Sequence, residues 1–138
     1  MIHSRTCLSA SPPPLLPLSS FKPRYMRGRQ TVEVSKLLSM GIDVANGLGY
    51  LNSAHRFIHR DLACRNCLLD SQLRVKIGDF GMSRVAIYKD YYRLDHQAKL
   101  PVRWMSPESL TMGSFSSASD VWSLGVVLWE LFSFCEMP

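Results

Sequence analysis

The 138-residue chain contains no apolar stretch long enough to cross a bilayer. Its longest apolar segment, residues 121–134, is interrupted by Ser123, Glu130 and Ser133 and falls short of the about 20 residues that a span needs. The N-terminal leucines alternate with prolines, so the compact apolar segment of a signal peptide is missing as well. We therefore expect this chain to be cytoplasmic and to carry no membrane segment.

Cysteine is scarce as well. The four cysteines are Cys7, Cys64, Cys67 and Cys135. Their number and spacing do not indicate the disulfide framework of a small secreted domain. Cys64 and Cys67 form a C-x-x-C pair with His55 and His59 upstream, so a zinc module is one alternative. No second C-x-x-C pair follows, and we favour Cys67 as a small buried hydrophobe at the start of a strand.

The composition is otherwise ordinary for a soluble protein, with 46% hydrophobic and 20% charged residues in a chain long enough for one core. The net charge of +5 is unevenly distributed. Part of the excess lies in a short basic run, Lys22, Arg24, Arg27 and Arg29. A run this short usually marks a solvated linker, and we expect no nucleic-acid partner.

Residues 1–30 show no periodic pattern. They are rich in serine and proline and then basic, which predicts a disordered lead-in. Residues 14–17, Pro-Leu-Leu-Pro, also fit the P-x-x-P pattern of a polyproline ligand for an SH3-type groove, but such matches are common by chance. The periodic segments and the motifs all lie in residues 31–138.

Hydrophobic periodicity beyond residue 30 predicts a mainly helical unit with short strands, α+β overall. A helix is expected over residues 31–52, because apolar residues recur there on one face. Gly41, Gly47 and Gly49 weaken that helix by about 1 kcal/mol each relative to alanine, so a neighbouring element is expected to pack closely on them. Short strands are expected at residues 56–58, 67–69 and 73–77. Residues 121–132 are apolar on nearly every side, which is typical of a helix in the middle of a domain.

Two short strings carry the chemistry. Residues 59–66 read His-Arg-Asp-Leu-Ala-Cys-Arg-Asn and fit the pattern H-R-D-L-x-x-x-N, and residues 79–81 read Asp-Phe-Gly. Asp61 can orient a substrate hydroxyl and accept its proton as a general base. Asn66 and Asp79 offer the carbonyl and carboxylate oxygens that Mg²⁺ prefers when it holds nucleotide phosphates. Together these residues predict phosphoryl transfer with ATP and Mg²⁺ as cofactors.

These strings resemble the protein kinase family, and within it the tyrosine kinases. Ala63 and Arg65 are similar to the tyrosine-specific variant of the catalytic loop. Residues 100–108, Leu-Pro-Val-Arg-Trp-Met-Ser-Pro-Glu, resemble the loop with which tyrosine kinases dock their substrates, although Ser106 replaces the usual alanine. The later Ser-Asp-Val-Trp-Ser string resembles the central helix of the larger C-terminal lobe, in which Asp120 would hold the backbone of the catalytic loop.

The resemblance also implies roles for individual residues. It makes Asp61, Arg65 and Asn66 catalytic, and it makes Asn66 and Asp79 metal ligands. It assigns nucleotide binding to the same two residues and to Leu68, which would lie under the adenine ring.

Three tyrosines, Tyr88, Tyr91 and Tyr92, lie between the D-F-G and P-E strings, as in the insulin-receptor-like group of receptor kinases. Their spacing is Y-x-x-Y-Y, whereas that group usually has Y-x-x-x-Y-Y, so the departure concerns Tyr88. A phosphotyrosine adds about −1.5 to −2 charges, and pairing with a basic residue would order the loop. We predict regulatory phosphorylation at these tyrosines and pairing with Arg60.

A complete kinase also needs a G-x-G-x-x-G loop and a V-A-I-K strand before these motifs, and this sequence contains neither. We therefore interpret residues 31–138 as part of the larger C-terminal lobe of a kinase domain, incomplete at both ends. The parent would be a plasma-membrane receptor that phosphorylates protein tyrosines on the cytoplasmic side and recruits SH2-type partners. We expect this chain alone to be inactive. The alternative is a truncated, non-catalytic kinase that acts as a docking or phosphorylated interaction protein.

Overall fold

The computed structural model describes residues 14–20, 32–85, 100–134 and 136–138. The helices in these ranges are α1 (Val34–His55), α2 (Pro107–Met112) and α3 (Ser117–Phe132). The strands are β1 (Leu16–Pro17), β2 (Phe57–Ile58), β3 (Cys67–Leu69), β4 (Val75–Ile77) and β5 (Arg84–Val85). This mainly helical architecture with short antiparallel strands confirms the predicted fold class.

Helix α1 begins and ends three residues later than predicted. Glu33 occupies its N-cap position without a side-chain capping bond. At the other end Arg56 adopts a left-handed conformation with a φ of 51°, and its N–H donates to the carbonyl of Asn52 over 3.1 Å. A left-handed residue that satisfies one of the last helical carbonyls is a common way to end a helix. Because Arg56 has this role, β2 starts at Phe57 rather than at residue 56.

The core lies between α1, α3 and the hairpin of β3 and β4. A Cβ atom on Gly41 would lie only 2.7 Å from Cδ2 of Leu128 in α3, and one on Gly47 would lie 3.2 Å from Cδ1 of Ile77 in β4. The prediction of close packing on the helix glycines is therefore confirmed at these two positions. It was wrong for Gly49, where an added Cβ would have no neighbour within 4 Å among the described residues.

Two small antiparallel sheets accompany the helices. One has the order β1–β3–β4, and the other pairs β2 with β5. Strand β4 begins at Val75 rather than at residue 73, because Leu73 has a left-handed φ of 60° in the turn before it. The carboxylate of Asp70 holds this turn by accepting the N–H groups of Gln72 and Arg74 over 2.9 and 3.0 Å.

Residues 14–20 correct the prediction of a disordered lead-in over residues 1–30. Leu16 lies opposite Leu69, Pro17 lies opposite Leu68, and Leu18 is completely buried in the core. Burying one leucine stabilises by about 1.5–3 kcal/mol, and proline is tolerated on an edge strand such as this one. The prediction used the composition of all 30 residues, which is rich in serine and proline, and so did not reveal this short apolar segment. Residues 1–13 and 21–31 lie outside the described part of the chain.

Helix α3 begins at Ser117, four residues before the predicted start. Ser116 and Ser119 form a reciprocal capping box, in which each hydroxyl accepts the other residue's backbone N–H over 3.3 and 2.9 Å. One face of α3 is buried, and the opposite face is open to solvent among the described residues. None of the helices in the described ranges is long and apolar enough to span a membrane.

Candidate active site

The start of the catalytic loop, residues 59–66, is held by a buried carboxylate on α3. Asp120 accepts the backbone N–H of His59 over 2.7 Å and that of Arg60 over 3.0 Å. Arg60 has a left-handed φ of 72°, a conformation that is costly for a residue with a side chain. The two hydrogen bonds offset that cost and fix the loop's path. Burial raises the pKa of Asp120, and the N–H donors of Arg60 and His59 partly oppose that shift.

Asp61 and Asn66 are joined directly inside this loop. The Asn66 side-chain Nδ2 donates to the Asp61 carbonyl over 2.7 Å and to its Oδ2 over 2.9 Å. Because both partners can only accept, the nitrogen of the amide must face Asp61 and the oxygen must face away. The Asn66 Oδ1 atom therefore points away from Asp61.

Arg65 binds the other carboxylate oxygen of Asp61. Its guanidinium forms an ion pair with Oδ1 of Asp61 at a spacing of four residues. It also lies 4.3 Å from the centre of the Trp104 ring, which belongs to the predicted docking loop. Both oxygens of Asp61 therefore have a partner, yet each carboxylate oxygen has two lone pairs and can accept one more hydrogen bond. The side chain of Asp61 is 17% exposed, so a substrate hydroxyl can reach it.

The D-F-G turn is tied to the catalytic loop through the residue that precedes it. The N–H of Gly78 donates to the carbonyl of Asn66 over 2.8 Å, and its carbonyl lies 3.1 Å from Nε2 of His59. The Nδ1 atom of His59 in turn accepts the N–H of Asp61 over 3.3 Å. These partners require the tautomer with the proton on Nε2. Asp79 thus follows a residue that is bonded to both ends of the catalytic loop.

Asp79 itself is exposed at this junction. Its φ of 54° is left-handed, and its Oδ1 accepts the N–H of Gly81 over 3.3 Å. Aspartate tolerates this conformation better than most residues do. The next ring, Phe80, lies 5.4 Å from the ring of His59 between centroids, which orients the turn against the catalytic loop. The carboxylate of Asp79 is left at the surface of the site.

The donors at this junction suit a magnesium–nucleotide complex. The outward amide oxygen of Asn66 and the exposed carboxylate of Asp79 are hard oxygen ligands, the type that Mg²⁺ takes. Asn66 and Asp79 would therefore hold the metal, and the metal would neutralise charge on the phosphates. The described ranges contain no cluster of three or more His, Cys, Asp or Glu side chains arranged to hold a metal without such a partner.

Leu68, predicted to lie under adenine, occupies the middle of β3 and is half-buried. Its side chain lies close to Gly78, because a Cβ added there would be 3.1 Å from Cδ1 of Leu68. Strand β1 runs beside it, with Pro17 opposite Leu68. The structure thus places Leu68 against Gly78, the residue before the D-F-G turn, and its contact with a nucleotide stays a prediction.

Arg60, predicted to pair with phosphotyrosine, has other neighbours in this structure. Its Cζ lies 4.4 Å from the centre of the Phe115 ring, and its Nη1 donates to the carbonyl of Met82 over 3.5 Å. Tyr88, Tyr91 and Tyr92 lie outside the described residues. Phosphorylation at these tyrosines and its pairing with Arg60 therefore stay predictions.

The predicted docking loop has a serine, Ser106, where tyrosine kinases usually have an alanine. The hydroxyl of Ser106 is buried and lies 3.0 Å from the hydroxyl of Ser109, which donates to the carbonyl of Ser114 over 2.7 Å. A buried hydroxyl is tolerated when it has such a partner. The substitution is therefore compatible with the local fold.

No individual role was predicted for two residues of the site, Glu130 and Trp104, although Trp104 lies in the predicted docking loop. Glu130 lies on α3 and accepts the N–H of Cys64 and the indole N–H of Trp104. One signal was present, because Glu130 is a lone acid inside the apolar run of residues 126–132. A charged residue at the centre of a buried helix usually has a specific partner.

The C-x-x-C pair has a simpler explanation than zinc. Cys64 and Cys67 are both completely buried, and Cys67 starts β3 opposite Ile77. Of the two histidines named with them, His59 is engaged with Gly78 and Asp61, as described above. These positions fit small core side chains.

Comparison with known proteins gives the class of this protein. Residues 8–138 match the sequence profile of the family described as protein tyrosine and serine/threonine kinase. The chain therefore belongs to the protein kinase family.

Its relatives narrow that class. The chain is 52% identical over 111 residues to the insulin-like growth factor 1 receptor of Xenopus laevis, a match that covers 80% of this chain and 8% of that receptor. It is 47% identical over 131 residues to the NT-3 growth factor receptor of Mus musculus, which covers 95% and 16%. It is 51% identical over 111 residues to the insulin receptor of Xenopus laevis, which covers 80% and 8%. The predicted resemblance to receptor tyrosine kinases is confirmed. The chain spans less than a fifth of the length of these relatives.

Proposed function

We propose that this chain is the catalytic-loop part of an ATP-dependent, receptor-type protein tyrosine kinase. The observation that supports this most strongly is the pairing of Asn66 and Arg65 with the two oxygens of Asp61, beside the D-F-G turn. Phosphoryl transfer needs a positioned base and hard oxygen ligands rather than covalent chemistry. These residues supply both.

In this proposal Asp61 accepts a hydrogen bond from the tyrosine hydroxyl. It takes the hydroxyl's proton as the tyrosine oxygen bonds to the γ-phosphorus of ATP and the bond from that phosphorus to the departing ADP breaks. Arg65 and Asn66 hold the two carboxylate oxygens, so that the remaining lone pairs have a fixed direction. Asn66 and Asp79 would hold the Mg²⁺–ATP complex, which supplies charge neutralisation at the transferred phosphate. Leu68 would lie under the adenine ring.

The wider assignment follows the relatives. We propose that the parent protein is a plasma-membrane receptor with this part on the cytoplasmic side. Protein tyrosines would be its substrates. Phosphorylation of the three tyrosines between the D-F-G and P-E strings would create negative charge for Arg60 and docking sites for SH2-type partners.

A chimera tests the phosphotransfer directly. Residues 32–138 would replace the matching part of the insulin-like growth factor 1 receptor of Bos taurus, which is 54% identical over 105 residues. We expect the chimera to phosphorylate a tyrosine peptide and Asp61→Asn to lower kcat at least about 100-fold, because a positioned base contributes about that much. Asp70→Asn, a change of the same kind in the turn before β4, is the matched control and should leave kcat unchanged.

A folded chimera that transfers no phosphate would contradict the proposal, as would an Asp61→Asn chimera with full activity. A second candidate is a non-catalytic docking or phosphorylated interaction protein. It is favoured by one feature of the sequence, the cluster of Tyr88, Tyr91 and Tyr92, which a separate tyrosine kinase could phosphorylate. An inactive chimera that is still phosphorylated by a separate tyrosine kinase would support this candidate.

A further inference from the structure

Helix α3 contains two acidic residues, Asp120 and Glu130, and both are buried. They are ten residues apart, which is about 15 Å along a helix, so they hold different parts of the neighbouring loops. We propose that Glu130 is a positioning residue, whose carboxylate fixes the Trp104 ring and, through that ring, aims Arg65 at Asp61. The proposal rests on the phosphotransfer function proposed above.

Glu130 is a hydrogen-bond acceptor that two loops share. The Oε2 atom of Glu130 accepts the backbone N–H of Cys64 over 2.9 Å and the Nε1–H of Trp104 over 2.8 Å. Cys64 belongs to the catalytic loop and Trp104 to the docking loop. A single oxygen on α3 therefore joins the loop that carries the base to the loop that would receive the substrate.

Ser123 and Glu130 hold opposite ends of Trp104. The backbone of Trp104 is held separately, because the hydroxyl of Ser123 donates to its carbonyl over 2.7 Å. Glu130 binds the far end of the same residue, at the indole nitrogen. The loop's path is thus set by Ser123 and the ring's direction by Glu130. Loss of the Glu130 carboxylate would release the ring without releasing the backbone.

The Trp104 ring also contacts Arg65, the partner of the predicted base Asp61. The guanidinium of Arg65 lies 4.3 Å above the Trp104 ring and forms its ion pair with Asp61. The Arg65 side chain is 39% exposed, and an ion pair at that exposure gains little because water competes and the long side chain loses freedom. A flat aromatic surface beneath the guanidinium limits that freedom in advance. Trp104 therefore holds Arg65 in place, and Glu130 holds Trp104.

The chemistry of the site favours a positioning role over simple packing. A carboxylate in a nearly closed site is costly unless it is hydrogen-bonded, and a leucine would fill a similar volume without that cost. Both hydrogen bonds of Glu130 go to groups of the two functional loops. Its acceptor oxygen is what a leucine could not supply.

The test uses nuclear magnetic resonance on the 138-residue chain and compares Glu130→Gln with Glu130→Leu. Glutamine keeps an acceptor oxygen, so the shift of the Trp104 indole proton and the upfield ring-current shifts of the Arg65 side-chain protons should persist. Leucine removes the acceptor, so both signatures should be lost and the Cys64 amide should exchange at least about tenfold faster. Trp129→Leu, on the neighbouring residue of the exposed face, should leave all three signals unchanged.

A Trp104→Phe variant keeps the test sharp if Glu130→Leu does not fold. Phenylalanine retains an aromatic face but has no N–H for Glu130, so the Arg65 ring-current shifts should shrink although a ring is present. Unchanged Arg65 shifts in Trp104→Phe, or a loss of the indole signature in Glu130→Gln equal to that in Glu130→Leu, would overturn the proposal. These readouts do not depend on phosphate transfer, so they are separate from a failure of the proposed function.

An activity measurement adds the functional arm. In the chimera described above, Glu130→Leu should lower kcat about 30- to 100-fold with little change in the KM for ATP, because a misplaced reacting group can cost about that much. Glu130→Gln should stay within about threefold of the parent chimera. An active chimera whose kcat is unaffected by Glu130→Leu would contradict the positioning role while leaving the proposed function intact.

Discussion

The two faces of α3 do not divide into an apolar inner face and a polar outer face. The inner face carries the core residues Val127 and Leu131 together with four polar side chains that are nearly closed to solvent: Ser119, Asp120, Ser123 and Glu130. The outer face carries large apolar side chains that are about half exposed among the described residues: Val121, Trp122, Trp129 and Phe132. An amphipathic surface helix would place these classes the other way round.

The contacts of the inner face explain why it carries buried polar side chains. Asp120 and Glu130 bind backbone N–H groups of the catalytic loop, and Ser123 binds the carbonyl of Trp104. Loop backbone groups that are buried need hydrogen-bond partners, and here a helix side chain supplies them. The polar side chains of this helix are buried because they bind the backbone groups of the adjacent loops. The inner face therefore determines where the catalytic loop lies.

The largest expected effect tests the inner face against the outer face directly. Asp120→Ala removes the acceptor of two N–H groups, those of His59 and Arg60, and leaves a left-handed residue unsupported. We expect the free energy of unfolding to fall by about 2–4 kcal/mol, measured by urea denaturation. The matched change on the outer face, Val121→Ala, should cost about 0.5 kcal/mol or less. Equal losses for the two variants would mean that the faces do not differ as described.

A smaller effect on stability is expected at two glycines. One is Gly125 on the outer face of α3, and the other is Gly41 on α1, where it packs against Leu128 of α3. Gly125→Ala on the outer face adds a methyl group that has no neighbour within 4 Å in the described part of the chain. The better helix propensity of alanine should therefore stabilise the fold by about 1 kcal/mol. Gly41→Ala on α1 would place its Cβ 2.7 Å from Cδ2 of Leu128, and overpacking costs about 1–3 kcal/mol. Urea denaturation should therefore show a gain for the first variant and no gain, or a loss, for the second. A gain of equal size in both would show that α1 and α3 are not in close contact at Gly41.

The smallest expected effect separates two carboxylates by the direction of their pKa shifts. Burial raises the pKa of Asp120 above 3.8, whereas the backbone N–H of Arg74 is the main cause that lowers the pKa of Asp70 below 3.8. A raised carboxyl pKa contributes stability that is present at low pH and is lost as the pH rises through it. A lowered one contributes stability that is present at higher pH and is lost as the pH falls through it.

Denaturation of the two asparagine variants between about pH 3 and pH 7 checks these signs. Relative to the unaltered chain, the stability deficit of Asp70→Asn should grow as the pH rises. The deficit of Asp120→Asn should shrink over the same range. Parallel curves for the two variants would contradict the assignment of one carboxylate to a buried site and the other to a hydrogen-bonded turn.

Local patterns predicted much of this fold, and long-range contacts account for most of what they missed. The predicted strands at 67–69 and 73–77 correspond to β3 and β4 apart from the start of β4. Their pairing, which was not predicted, brings Gly78 within hydrogen-bond distance of Asn66. The partners of Glu130 lie 66 and 26 positions away, at Cys64 and Trp104, and no local period encodes such a distance. The ring beneath Arg60, Phe115, was hidden for the same reason.

Two further differences have causes that residue propensities do not capture. The end of α1 is set locally by the left-handed conformation of Arg56, which its side chain does not predict. The strand at Leu16–Pro17 depends on pairing with β3 and on the burial of Leu18. In this second case tertiary contacts override a composition that points elsewhere.

The most direct test is whether one metal–nucleotide complex reaches both motifs at once. Mn²⁺ with ATP, added to the chimera described above with isotopic labels in residues 32–138, broadens the resonances of nearby nuclei in a magnetic resonance spectrum. We expect broadening of the Asn66 side-chain amide and of the Gly78 and Gly81 backbone amides together, with Met112 and Ser133 unaffected. Broadening at Asn66 without Gly81, or broadening centred away from both motifs, would contradict the proposed site.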